Sequence, residues 1–119
     1  MSKILLVDDS TFSRNSLKKA LGEHHTYYEA GNGTTGLKTF MEEKPDLVIR
    51  DLTMPDLNGL EVLETLKRIQ PDVRVIINSA DIQDYNREKA LELGALGFVN
   101  KPIQKEALNA LVAQVLGEK

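Results

Sequence analysis

The stretch LVIRDLTMPDLNG, Leu47 to Gly59, decides how this chain is read. Four residues of strand character, Leu47 to Arg50, run directly into Asp51, and the turn formers Pro55, Asn58 and Gly59 follow. A carboxylate at the end of a buried strand is costly unless something there uses its charge. Arg50 poses the same question one position earlier, because an unpaired guanidinium on a strand covered on both faces is also costly.

Working outward, the same pattern recurs. KILLV (Lys3 to Val7) is an aliphatic run that stops at Asp8 and Asp9, as a buried parallel strand does. Ser10 to His24 then places Phe12, Leu17 and Leu21 on one side of a helix, with hydroxyl caps at its start and Gly22 near its end. TYYEA (Thr26 to Ala30) reads as a strand, Thr34 to Glu43 as a helix stopped before Pro45, and Asp46 to Asp51 as a strand. In Gly59 to Gln70, Leu60, Leu63, Leu66 and Ile69 recur at helical spacing before Pro71. Val73 to Ala80 is a strand, Asp84 to Gly94 a helix, Gly97 to Asn100 a strand and Gln104 to Gly117 a helix. Five strands alternating with five helices predict an α/β fold, a doubly wound and mainly parallel sheet with helices on both faces. In such sheets, sites lie beyond the carboxyl ends of the strands, where strand order reverses.

The 119 residues are 41% hydrophobic and 28% charged, with a net charge of -3. These values suit one globular domain, residues 1–119, and argue against a disordered chain or a nucleic-acid-coating face. There is no cysteine, which excludes disulfides and thiolate metal sites and suits a reducing cytoplasm. The start, MSKILLVDD, reaches two acids too soon for a secretory signal or a membrane span. The expectation is a cytoplasmic protein with neither membrane nor nucleic acid among its partners.

The polar residues at the strand ends form a set: Asp8 and Asp9 after the first strand, Asp51 after the third, Ser79 after the fourth, Lys101 after the fifth. Carboxylates crowded on one rim repel one another and need a proton or a cation. Magnesium, a hard ion that takes oxygen ligands and keeps places for phosphate oxygens, is the simplest answer. Ser79 and Lys101 would hold other phosphate oxygens, and a carboxylate such as Asp51 can attack phosphorus to form an aspartyl phosphate. Taken singly, each feature has a plainer reading: Asp8–Asp9 as a turn and helix cap, Lys101–Pro102 as a strand end, MPDLNG as a turn. Their joint position at the strand ends favours chemistry.

From ILLVDDS through DLTMPDLNGLE and INSAD to GFVNKPI, the chain resembles the receiver domain of two-component response regulators, especially the stand-alone chemotaxis type. The resemblance implies the flavodoxin-like strand order 2-1-3-4-5. It implies that Asp51 accepts phosphate from a histidine kinase or phosphotransfer protein, with magnesium held by Asp8, Asp9, Asp51 and the Thr53 backbone carbonyl. Ser79 would bond the phosphoryl group and Lys101 would pair with it, making the protein a self-phosphorylating switch rather than an enzyme acting on other substrates. Phe98, three residues before the lysine, takes the place of the family's switch aromatic; it lacks a hydroxyl, and simple packing is its other reading. Thr53 and Asp81 stand where the family tunes phosphate lifetime, and Asp81 also reads as a helix N-cap. With no output domain expected, the signal would leave through a partner bound at about Asp84 to Val115, and the kinase side would dock on the first helix, where Phe12, Arg14 and Leu17 lie.

Arg50 departs from the family pattern. Asn78 precedes Ser79 and Asn100 precedes Lys101 just as Arg50 precedes Asp51, which suggests a compensating polar cluster on one face. The alternative is that Arg50 snorkels to solvent. Two rival functions stand beside the switch: a hydrolase working through an aspartyl phosphate, and a receiver-like scaffold that is never phosphorylated.

Overall fold

In KILLV every residue after Lys3 is buried, and because side chains alternate across a strand, this strand must be covered on both faces. The computed structural model describes residues 2–23, 25–51, 59–79, 84–101 and 103–117, with the side chains of 59–62, 79 and 84–87 excepted. Its elements run β1 (Lys3–Val7), α1 (Thr11–Leu21), β2 (Thr26–Ala30), α2 (Gly33–Glu43), β3 (Leu47–Arg50), α3 (Gly59–Ile69), β4 (Val75–Ser79), α4 (Asp84–Glu92), β5 (Gly97–Asn100) and α5 (Lys105–Leu116). All strand pairs are parallel, in the expected order β2-β1-β3-β4-β5.

The alternation divides the core into two layers. Ile4, Leu6, Ile49, Ile76 and Val99 point toward Leu17 and Leu21 of α1 and Leu108 and Val112 of α5. Leu5, Val7, Val48, Val75 and Ile77 point the other way, toward Phe40 of α2, Leu63 and Leu66 of α3 and Ala90 of α4. Each fully buried aliphatic side chain contributes roughly 1.5–3 kcal/mol, so the layers hold the strand ends in fixed register. Capping sets the helix starts as expected for α1, where the Ser10 hydroxyl accepts from the Ser13 N–H at 3.2 Å. Asn32 does the same for α2, accepting from Thr35 at 2.8 Å.

Three expectations are corrected. Phe12 does not share the buried side of α1 with Leu17 and Leu21: it is 81% exposed, against 1% and 2%. Arg50 does not snorkel, since it is wholly buried. The polar cluster does not form on one face either, because Arg50 pairs with Ile77 rather than with Asn78. That single step places Arg50 on the α2–α4 side and Asn78 on the α1–α5 side, because a one-residue shift in register exchanges faces.

Candidate functional site

Strand order reverses between β1 and β3, and the two residues that leave the sheet there are Asp8 and Asp51. The Asp51 N–H donates to the Val7 carbonyl at 3.1 Å, and the Asp8 N–H donates to the Ala30 carbonyl at 3.0 Å. These bonds carry the parallel ladder one step past the strands and fix both carboxylates on the rim. Asp8 also turns the chain: its Oδ1 accepts from the Ser10 N–H at 2.9 Å, an Asx turn that leads straight into the Ser10-capped helix α1.

Lys101 follows β5 and reaches back across the sheet. Its Nζ donates to Asp8 Oδ2 and to Asp51 Oδ2, each at 2.9 Å. The two carboxylates are nearly buried, at 2% and 4% exposed, so charge-assisted bonds to the ammonium are what make them tolerable there. Burial by itself works against the charged lysine, but hydrogen bonds and charge from Asp51 and Asp8 outweigh it and hold Lys101 above the ordinary lysine value.

Asp9 completes the acidic group. One oxygen from each of Asp8, Asp9 and Asp51 can be chosen so that all lie within 4.8 Å of one another, with Asp9 on the exposed side. Three hard oxygen donors, open to solvent on one side and already drawing in one cation, fit magnesium, which takes one or two carboxylates directly and keeps several waters through which a third can act. The expected Thr53 carbonyl lies outside the described residues, as does Asp81. Ser79 ends β4 opposite Asn100, one strand from Lys101, but its side chain is not described.

Sequence reasoning missed a clamp beneath this rim. The Arg14 guanidinium donates to the Asp8 carbonyl, to Thr11 Oγ1 at 3.2 Å and to Glu29 at 3.1 Å, while Lys18 pairs with Glu29 at 2.9 Å. Two cations one helical turn apart on α1 thus face the single acid at the end of β2. Helical spacing was a readable signal for the pair, but the acid on another strand was not. The hydrogen bond from Lys18, opposed by burial and reinforced by Arg14, keeps the Glu29 carboxyl below its ordinary value. Arg14 is therefore engaged in holding Asp8, and Leu17 is buried; of the three residues expected at a docking face of α1, Phe12 is the one that projects.

Phe98 packs, partly buried, against the α2–α4 layer, level with Ile77 and Arg50. The expected output range, Asp84 to Val115, contains the exposed Leu91 and Leu96. It also contains a groove of about 510 Å³ between β5 and α5, lined by Phe98, Asn100, Gln104, Ala107 and Leu111 among others. No helix among the described residues is long and apolar enough to cross a membrane.

Comparison with known proteins agrees with this fold. The family described as "Response regulator receiver domain" matches residues 4–113. Chemotaxis protein CheY of Halobacterium salinarum is 35% identical over 115 residues, covering 96% of each chain. CheY of Bacillus subtilis is 34% identical over 116 residues, covering 96% of this chain and 97% of the other. Among solved structures, a CheY-like receiver domain protein from Methanospirillum hungatei superposes with a TM-score of 0.92 at 27% identity, covering 98% of this chain and 94% of that one.

Proposed function

The chain belongs to the response regulator receiver family, and from that premise we propose that it is a phosphorylatable signalling switch whose acceptor is Asp51. The observation that carries the reading is the Lys101 ammonium set between Asp8 and Asp51 at 2.9 Å from each, with the Asp9 carboxylate beside them. The Asp51 oxygen attacks the phosphorus of a phosphohistidine, the phosphorus–nitrogen bond breaks, and its electrons leave on the imidazole nitrogen. Lys101 neutralises charge on the phosphoryl oxygens as it now does on the carboxylates, and Ser79 at the end of β4 donates to a third. Asp8, Asp9 and Asp51 would hold a magnesium ion, which when bound screens the phosphoryl charge from the carboxylates. The Arg14 clamp keeps the Asp8 loop from yielding as that charge arrives.

The donor is a histidine kinase or phosphotransfer protein. A groove of about 720 Å³ between α1 and α5 runs from Phe12 past Ser16 and Ala20 to Ile103 and Lys101. A donor helix lying there would bring its histidine to the rim, with the exposed Phe12 as apolar anchor. Output leaves by the α4–β5–α5 side to a protein target.

Intact mass after incubation with magnesium and acetyl phosphate tests the reading. One phosphoryl group should be added to the wild type and none to Asp51→Asn. Stoichiometric labelling of that variant, or none of the wild type, would refute it.

A further inference from the structure

Asn78 is left unexplained by the switch as described. It is 1% exposed, and neither its Nδ2 nor its Oδ1 has a hydrogen-bond partner among the described residues. Buried amides are almost always satisfied, so one with both ends idle calls for an explanation.

Register locates that amide. Ile76 points into the α1–α5 layer and Ile77 into the opposite one, so Asn78 faces α1 and α5. Asp8 follows Leu6, and Asp51 follows Ile49, onto the same face. Val7, Arg50 and Ile77 are level with one another, which makes Asp8, Asp51 and Asn78 neighbours one level further on. On its other side Asn78 pairs with Val99, two residues before Lys101 on that same face. The idle amide therefore lies in the floor between the acceptor carboxylate and the strand that delivers the lysine.

A lysine ammonium has three donors, and Asp8 and Asp51 take two of them here. Metal binding at the acidic group draws on these same oxygens, and a phosphoryl group on Asp51 changes one of them from carboxylate to acyl phosphate. Either event frees Lys101 from its resting partners at the moment it must stay near Asp51. We propose that Asn78 is a positioning residue for Lys101. Its Oδ1 accepts from the ammonium as Asp8 is lost, and its Nδ2 donates toward the oxygens carried by Asp51, so that the lysine moves onto the phosphoryl group instead of out into the α1–α5 groove. This rests on Asp51 being the acceptor, and it explains why a buried strand position in contact with an aliphatic layer carries an amide.

The side-chain amide resonance of Asn78 reads the proposal directly. It should move when magnesium and beryllium fluoride, a phosphoryl mimic, are added to the wild type, and should move clearly less in Lys101→Met treated alike. A resonance that does not move, or moves as far without the lysine, overturns the proposal. In kinetics, Asn78→Leu should be labelled by acetyl phosphate about tenfold more slowly at saturating magnesium, less than the hundredfold that an ångström of misplacement can cost. Asn78→Thr, which restores a donor and acceptor, should fall between. Equal rates in wild type and Asn78→Leu overturn this inference alone; a wild type that takes up no phosphoryl group overturns the acceptor assignment and this inference with it.

Discussion

Replacing Lys101 by methionine keeps most of the side-chain volume and removes one charge from between two nearly buried carboxylates. Oxygens of Asp8 and Asp51 lie within 4.8 Å of one another, and at an effective dielectric near 20 two unit charges at that distance repel by roughly 3.5 kcal/mol. Water admitted past a lysine whose side chain is 20% exposed relieves part of this. The expected loss is about 2–3 kcal/mol, just under the range for breaking a fully buried pair. For a chain of this size that lowers Tm by roughly 8–12 °C. The sign with pH follows from the raised lysine: its stabilisation is complete below the ordinary value of 10.5 and is lost as pH rises through the higher folded value. The gap between wild type and variant should therefore be constant from pH 7 to 9 and close above the ordinary lysine range. Magnesium should narrow the gap. In the wild type the ion competes with the ammonium for Asp8 and Asp51, whereas in the variant it meets two carboxylates that have lost the ammonium, so it should raise the variant's Tm more. Thermal melts in EDTA and in millimolar magnesium chloride measure both quantities. A Tm loss under about 3 °C in EDTA, or a larger magnesium effect on the wild type, would refute the electrostatic account.

Two further outcomes test the scaffold around the site. Glu29→Gln removes the acid clamped by Lys18 and Arg14; because these residues are partly exposed, the cost should be modest, about 0.5–1 kcal/mol at neutral pH. Since the folded Glu29 value is depressed, that advantage is present above the ordinary 4.5 and should fade as pH falls below it, a trend that urea midpoints at pH 7 and pH 3 would expose or contradict. Gly94 has a φ of 104°, and a Cβ there would come within 2.3 Å of the Lys67 side chain, which is bonded to the Val73 carbonyl at 2.9 Å. Gly94→Ala should therefore cost about 1–2 kcal/mol through backbone strain and a displaced lysine, read as a lower denaturant midpoint with an unchanged slope; an unchanged midpoint would show the turn to be pliant.

The alternation of five strands with five helices was legible in the chain because it rests on short-range periodicity. The runs ILLV and LVI are too uniformly apolar to be half-exposed, and Ser10, Gly22 and Pro71 mark helix ends through local chemistry. The acids after the first and third strands and the lysine after the fifth could also be placed on one rim, because parallel strands put all their carboxyl ends on one edge. The order of the strands came from family likeness, since alternation alone is compatible with more than one order. What adjacency in the chain could not supply was register. Reading Arg50, Asn78 and Asn100 as equivalent positions assumed that strands align by their site residues, whereas β3 and β4 pair with Arg50 opposite Ile77. With a side-chain period of two, that one-residue offset sends the guanidinium into one layer and the amide into the other. On α1, Phe12 stands about 140° round the helix from Leu17 and is exposed; that Leu17 and Leu21 meet Leu108 and Val112 of α5 was decided by the fold. The Glu29 clamp and the Lys101 bridge are of the same kind, contacts between residues 11 to 93 positions apart, and they exist only because the folded sheet brings the strand ends together.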